Sequence, residues 1–222
     1  MTASQLKLYD YVLSGNCYKI RLLLTFLELP FESIPIDFYP GREHKQPDFL
    51  EKNPLGQLPV LEDGQHRQSD AQAILTYLAA KYDTSGQWFP ADPVNKGRVV
   101  EWLSFAENIT ATCSAARLHD ILGYEIDITA ARLGGHRNLQ HLDDHLVENE
   151  ITSDEWLIGI GPTIADVACF PYVALAEDGG ISLNNYPAIR RWIVRFKSLP
   201  RFIPMPGIPP LHHLVDNEGK RI

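Results

Sequence analysis

The chain opens with a period of two and then changes it. In "LKLYDY", Leu6, Leu8 and Asp10 alternate with Lys7, Tyr9 and Tyr11, which predicts a short strand. "YKIRLLLTFLE" then places Ile20, Leu23, Leu24 and Leu27 at helical spacing, leaving Lys19, Arg21 and Glu28 to water, until Pro30 stops the helix. "FESIPID" reads as a second strand and "FYPGREHKQP" as a polar loop punctuated by Pro and Gly. "GQLPVLEDGQHRQ" reads as strand, Asp-Gly turn, strand. "DAQAILTYLAAKY" is a helix with Ala71, Ile74, Leu75 and Leu78 on one side. The order β-α-β then β-β-α predicts a small mixed sheet with helices packed on it, an α/β unit.

After Tyr82 the pattern is helical only. "DTSGQWFPADP" is rich in turn residues and divides residues 1–82 from 94–222, with 83–93 as linker. Helices are predicted at 94–122, 126–148, 163–176 and 187–198. In "PTIAD", Thr163 is an N-cap with Asp166 in the capping-box position. Trp102 and Phe105 read as packing residues of the first of these helices. "RFIPMPGIPPL" carries four prolines, so it is expected to run extended over the helical part.

Composition narrows the setting. With 222 residues, 45% of them hydrophobic, the chain can bury a substantial core. Its net charge of -8 offers no basic footprint for nucleic acid or an anionic membrane, so an anionic ligand must be held by local donors. The start has no charged segment followed by an apolar run, and no stretch reaches 18 consecutive apolar residues; a cytoplasmic protein is expected. Cys17, Cys113 and Cys169 are odd in number and far apart, which fits neither a disulfide framework nor a zinc cluster. His141 and His145 have metal-ligand spacing but no evident third ligand, so no metal is expected.

Three segments carry candidate chemistry. "LSGNCYKI" puts Ser14 and Cys17 at the ends of a C-x-x-C-like turn where a strand feeds a helix, so Ser14 can offer its hydroxyl to an anion at a helix N-terminus. Cys17 could be a reactive thiol, since helix N-termini lower thiol pKa, but it matches the usually buried second position of such turns, which favours an inert role. "NPLGQLPVL" places Leu58-Pro59 at a strand start, where proline suggests an edge strand and a cis bond comes at modest cost. In "DAQAIL", Asp70 can cap its helix or accept from a ligand ammonium, and the Ala71 N–H can donate to a carboxylate.

Taken in order, "LSGNCYKIRLLL", "FLEKNPLGQLPVLEDG", "DAQAILTYLAAKY" and "PTIADVACFPY" resemble the glutathione S-transferases, closest to the serine-bearing, theta-like bacterial forms. The resemblance implies a thioredoxin-like N-terminal domain followed by an all-α domain. It implies glutathione as co-substrate, no tightly bound cofactor, and a small hydrophobic electrophile as partner in a detoxifying homodimer. Ser14 would stabilise the glutathione thiolate, with Asn16 as a second donor. Leu58, beside Pro59, would pair its main chain with the cysteinyl part, and Asp70 would face the γ-glutamyl ammonium. Ala71 stands where the family has serine, so only its N–H remains for the γ-glutamyl carboxylate. His44 and Lys45 would reach the glycyl carboxylate, although a solvated loop is an equal reading for both. Arg117 and His119 fall on the helix that borders the electrophile site. A free thiol with a pKa near 8.5 is roughly 3% ionised at pH 7, so lowering it by about 2 units makes most of it nucleophilic. A glutathione-dependent peroxidase, reductase or isomerase, or a non-catalytic module on the same fold, remains open.

Overall fold

β1 (Leu6–Asp10) is the hub of the sheet. It pairs in parallel with β2 (Phe31–Pro35) and antiparallel with β3 (Val60–Asp63), which pairs antiparallel with β4 (His66–Ser69). The strand order is therefore β2-β1-β3-β4. The computed structural model describes residues 6–208. Pro59 does not mark an edge: β3 is interior, and Pro59 is accommodated because the ladder begins one residue later, at Val60 opposite Tyr9.

Alternation along the strands sends Leu6, Leu8 and Leu61 to the face covered by α1 (Gly15–Phe26) and α3 (Ala71–Tyr82). Tyr9 and Val60 point the other way, and that face is covered too. Within the segment that read as a loop and just beyond it, residues 43–45 form a 3-10 turn and Pro47–Leu50 form α2. Phe49 of α2 is buried edge-on against Tyr9, with ring centroids 6.3 Å apart. Pro47 supplies a helix start, but four residues are too few to show a period.

In the helical part, α4 (Pro93–Ile109) runs into a π-helical turn at Thr110–Ser114 and on into α5 (Ala115–Leu122). The predicted helix at 94–122 is thus interrupted by a π bulge, a feature common at functional sites. α6 (Ile128–Ile151), α7 (Ile164–Ala174) and α8 (Pro187–Lys197) follow. α7 is buried at every position from Ile164 to Val173, as expected of a helix apolar on all sides. The capping box is present: Asp166 accepts from the Thr163 N–H while the Thr163 hydroxyl accepts at the helix start. Asp166 also accepts from Trp192 Nε1 at 3.0 Å and the Leu157 N–H at 3.1 Å, tying α8 and the preceding loop to α7.

Because α7 lies across α1, part of the face of α1 that read as solvated is covered, while Glu28 stays exposed. Lys19 is wholly buried rather than wet. Trp102 is buried and lies against His141 and His145, in keeping with a packing role. Of the proline-rich tail, Phe202 and Ile203 pack on the main core and Met205 bridges to Ile208; Pro209, Pro210 and Leu211 lie outside the described residues. Among the described residues no helix is long and apolar enough to cross a membrane.

Candidate functional site

The turn from β1 into α1 is built by Ser14. Its N–H donates to the Tyr11 carbonyl at 2.9 Å, its backbone is extended, and its Oγ accepts from the Cys17 N–H at 3.2 Å as the helix N-cap. An oxygen used as acceptor keeps its own proton for another partner. The Asn16 N–H donates to the Tyr172 hydroxyl at 3.2 Å, and the Gly15 N–H has no intrahelical acceptor. The turn therefore presents a hydroxyl and a helix N-terminus to anything placed before it, an arrangement that favours negative charge. Cys17 is not a competing nucleophile. Burial pushes its thiol up to about 12, and the side chain has no exposure.

Opposite this turn, the Leu58–Pro59 bond is cis, as is Tyr39–Pro40. Leu58 lies just before the β3 ladder begins, so its main chain is outside the strand pairing. Asp70 caps α3 by accepting from the Ala73 N–H at 2.9 Å and does so at φ +73, a backbone conformation that costs a residue with a side chain about 1–3 kcal/mol. Ala71, the first residue of α3, is 4% exposed.

His44 is not a solvated loop residue. It is buried and stacked on Phe38 with ring centroids 4.2 Å apart; its Nδ1 has no hydrogen-bond partner. Burial, with the Lys45 and Arg42 charges beside it, lowers its pKa and favours the neutral ring. Lys45 staples the approach to Leu58, its Nζ donating to the Leu55 and Gly56 carbonyls at 3.0 and 2.8 Å.

These pieces share one cleft of about 380 Å3. Ser14, Asn16, His44, Lys45, Leu58, Pro59, Asp70, Ala71 and Arg117 all line it. His119 does not. It faces the end of α5, with its Nδ1 2.9 Å from the Tyr124 carbonyl oxygen. Arg117 is less a free guanidinium than a tie: Nε donates to Asp178 at 3.0 Å and Nη1 to the Leu13 carbonyl at 2.8 Å. The remaining wall is largely apolar, formed by Tyr11, Phe38, Leu118, Ile121 and Tyr124.

Tyr172 and Glu107 line the same cleft and were not found from sequence. Tyr172 sits in a helix whose other positions from Val167 to Ala174 are apolar, where nothing local separates it from a core residue. Glu107, which accepts from Gln72 Nε2, lies on α4 among other charged positions. Just beneath, the Lys19 ammonium has no hydrogen-bond partner and lies 5.3 Å from the Tyr172 ring centroid. Its burial lowers the pKa to about 8. Among the described residues no group of His, Cys, Asp and Glu side chains is arranged to hold a metal ion.

The family model of the glutathione S-transferase N-terminal domain matches residues 4–80. The crystal structure of a glutathione S-transferase from Pseudomonas fluorescens superposes with a TM-score of 0.81 at 31% identity, covering 91% of this chain and 99% of that one. Glutathione S-transferase 3 of Zea mays is 29% identical over 92% of this chain and 97% of its own. A maleylacetoacetate isomerase of Pseudomonas aeruginosa is 28% identical over 84% of this chain and 88% of its own. A mixed four-stranded sheet with a cis-proline before β3, joined to a helical bundle, defines a thioredoxin-like domain with an all-α partner. The chain belongs to the glutathione S-transferase family.

Proposed function

We propose that the protein is a glutathione transferase that joins the glutathione sulfur to a small hydrophobic electrophile. The observation that carries this reading is the free donor capacity of the Ser14 hydroxyl at the N-terminus of α1, in the same cleft as Leu58, Asp70 and the start of α3. Glutathione would lie across these elements. The Leu58 main chain would pair with its cysteinyl unit, and the Asp70 carboxylate with its ammonium. The Ala71 N–H would face its γ-glutamyl carboxylate, and the Lys45 end of the cleft its glycyl carboxylate. The thiol proton leaves to solvent, the Ser14 hydroxyl donates to the thiolate, and Asn16 stands by as a second donor. The sulfur then bonds to the electrophilic carbon and the leaving group departs, with orientation in the cleft supplying further rate. The apolar wall of Tyr11, Phe38, Leu118 and Ile121 suits a hydrophobic second substrate. A homodimer in the cytoplasm, with no tightly bound cofactor, completes the reading.

The test is a calorimetric titration with glutathione together with turnover of chlorodinitrobenzene. Saturable binding in the micromolar to low-millimolar range and a glutathionylated product support the transferase. Absence of saturable binding defeats it and favours a non-catalytic module on this fold. The maleylacetoacetate isomerase among the relatives favours a second reading, a glutathione-dependent isomerase. Product analysis separates the two, because isomerisation returns glutathione unconsumed.

A further inference from the structure

The Leu13–Asn16 turn is gripped at both ends by the helical part of the molecule. Arg117 Nη1 donates to the Leu13 carbonyl at 2.8 Å, and the Tyr172 hydroxyl accepts from the Asn16 N–H at 3.2 Å. The two partners are 104 and 156 positions away in the chain. Ser14 lies between the gripped groups. We propose that Arg117 and Tyr172 form a positioning clamp that aims the Ser14 hydroxyl, so that the thiolate site is completed by the helical part and is not a property of the β1–α1 turn alone. This rests on the transferase reading for its kinetic consequence, but not for the clamp itself.

Further geometry supports the proposal. A Cβ on Gly15 would sit 2.5 Å from the Tyr172 ring, so the turn lies flush against that ring and glycine is the residue that allows it. Tyr172 is buried, and burial raises its pKa, so the phenol keeps its proton while its oxygen accepts from the Asn16 N–H. The buried Ser114 side chain, at the end of the π-helical turn, lies beside the same hydroxyl. Arg117 is itself fixed by Asp178, which accepts from Nε while Nη1 holds the Leu13 carbonyl. The cleft wall built by Thr110, Ser114 and Arg117 is thus continuous with the groups that hold the catalytic turn. A side chain held at both flanks loses less orientation on reaching its transition-state geometry.

The alternative is that these bonds only satisfy two backbone groups. Three measurements separate the possibilities, made on Tyr172→Phe, which keeps the ring, and Arg117→Lys, which keeps the charge but not the fork. In the ligand-free protein, amide hydrogen exchange across Leu13–Tyr18 should quicken about tenfold or more in Tyr172→Phe, with the thermal midpoint close to wild type. In turnover, kcat should fall roughly fivefold to thirtyfold while KM for the electrophile stays within about twofold, and the kinetic pKa of bound thiol should rise by about half to one unit. In a double-mutant cycle, Tyr172→Phe should cost little once Ser14 is alanine, because it acts through that hydroxyl. Unchanged exchange in both variants overturns the clamp, whatever the protein catalyses. Quickened exchange with an unchanged pH profile, or a loss fully additive with Ser14→Ala, overturns the positioning role. A wild-type protein that does not bind glutathione would defeat the transferase reading while leaving the exchange result to decide the clamp.

Discussion

Ser14 has two separable jobs, and two substitutions pull them apart. As N-cap, its Oγ accepts from the Cys17 N–H. Replacing such a cap by alanine costs about 0.5–2 kcal/mol, and by glycine only a few tenths. With a 3.2 Å bond at a partly exposed site, the alanine cost should be about 1 kcal/mol. As donor to a thiolate, the hydroxyl makes a charge-assisted hydrogen bond of about 1.5–3 kcal/mol, which equals roughly 1–2 units of thiol pKa. Alanine and glycine both abolish that bond. Ser14→Ala and Ser14→Gly should therefore raise the pKa of bound glutathione equally, while only alanine lowers stability appreciably. Ultraviolet absorbance of the thiolate across pH reads the first effect and urea unfolding the second. The rate loss should be greatest below the wild-type thiol pKa and shrink toward pH 9, where ionisation needs no help, and it will be softened because a more basic thiolate is the better nucleophile. An unchanged thiol pKa in both variants, or a glycine variant intermediate between wild type and alanine in pKa, would refute the assignment of Ser14 as donor.

Other positions carry independent expectations. Lys19 is charged in the unfolded chain up to its ordinary 10.5 but only to about 8 when buried, so wild-type stability should rise as pH climbs through that window. Lys19→Met should remove that slope and stabilise the fold at pH 7 by up to roughly 3 kcal/mol by the shift, less what the contact with the Tyr172 ring contributes; destabilisation at pH 7 with the slope intact contradicts it. Asp63 is desolvated, which opposes its charge, but hydrogen bonds from Lys81, Tyr82 and Tyr77 outweigh this and hold its pKa far below the carboxylate range. Its contribution is present above about pH 4 and lost as pH falls further, so Asp63→Asn should cost about 1–3 kcal/mol at pH 7 and flatten the acid limb of urea-measured stability. Equal pH profiles for wild type and variant would count against this network. Ala71→Ser adds a hydroxyl at the start of α3 inside the cleft, and should tighten glutathione binding by about tenfold in calorimetry; unchanged affinity would mean the γ-glutamyl carboxylate lies elsewhere.

What the chain declared by itself was what neighbouring residues decide together. The alternation of Leu6 and Leu8, the helical run from Ile20 to Leu27 and the capping box of Thr163 and Asp166 are patterns within a few residues, and all appear in the structure. Ser14 and Asp70 were legible for the same reason, since helix N-termini are marked by their own capping residues. Tertiary structure decided everything that depends on what covers a second face. Lys19 read as a wet position of α1 because periodicity describes one helix alone, and α7, some 150 residues onward, is what buries it. Phe49 closed the far side of the sheet from a helix too short to show a period, and Pro59 preceded an interior strand because its partners are set by pairing and not by composition. The grip of Arg117 and Tyr172 on the Ser14 turn belongs to the same class: Arg117 read only as a neighbour of the electrophile site, nothing local set Tyr172 apart from a core residue, and only the packing of distant segments brings guanidinium and phenol to the two ends of one four-residue turn.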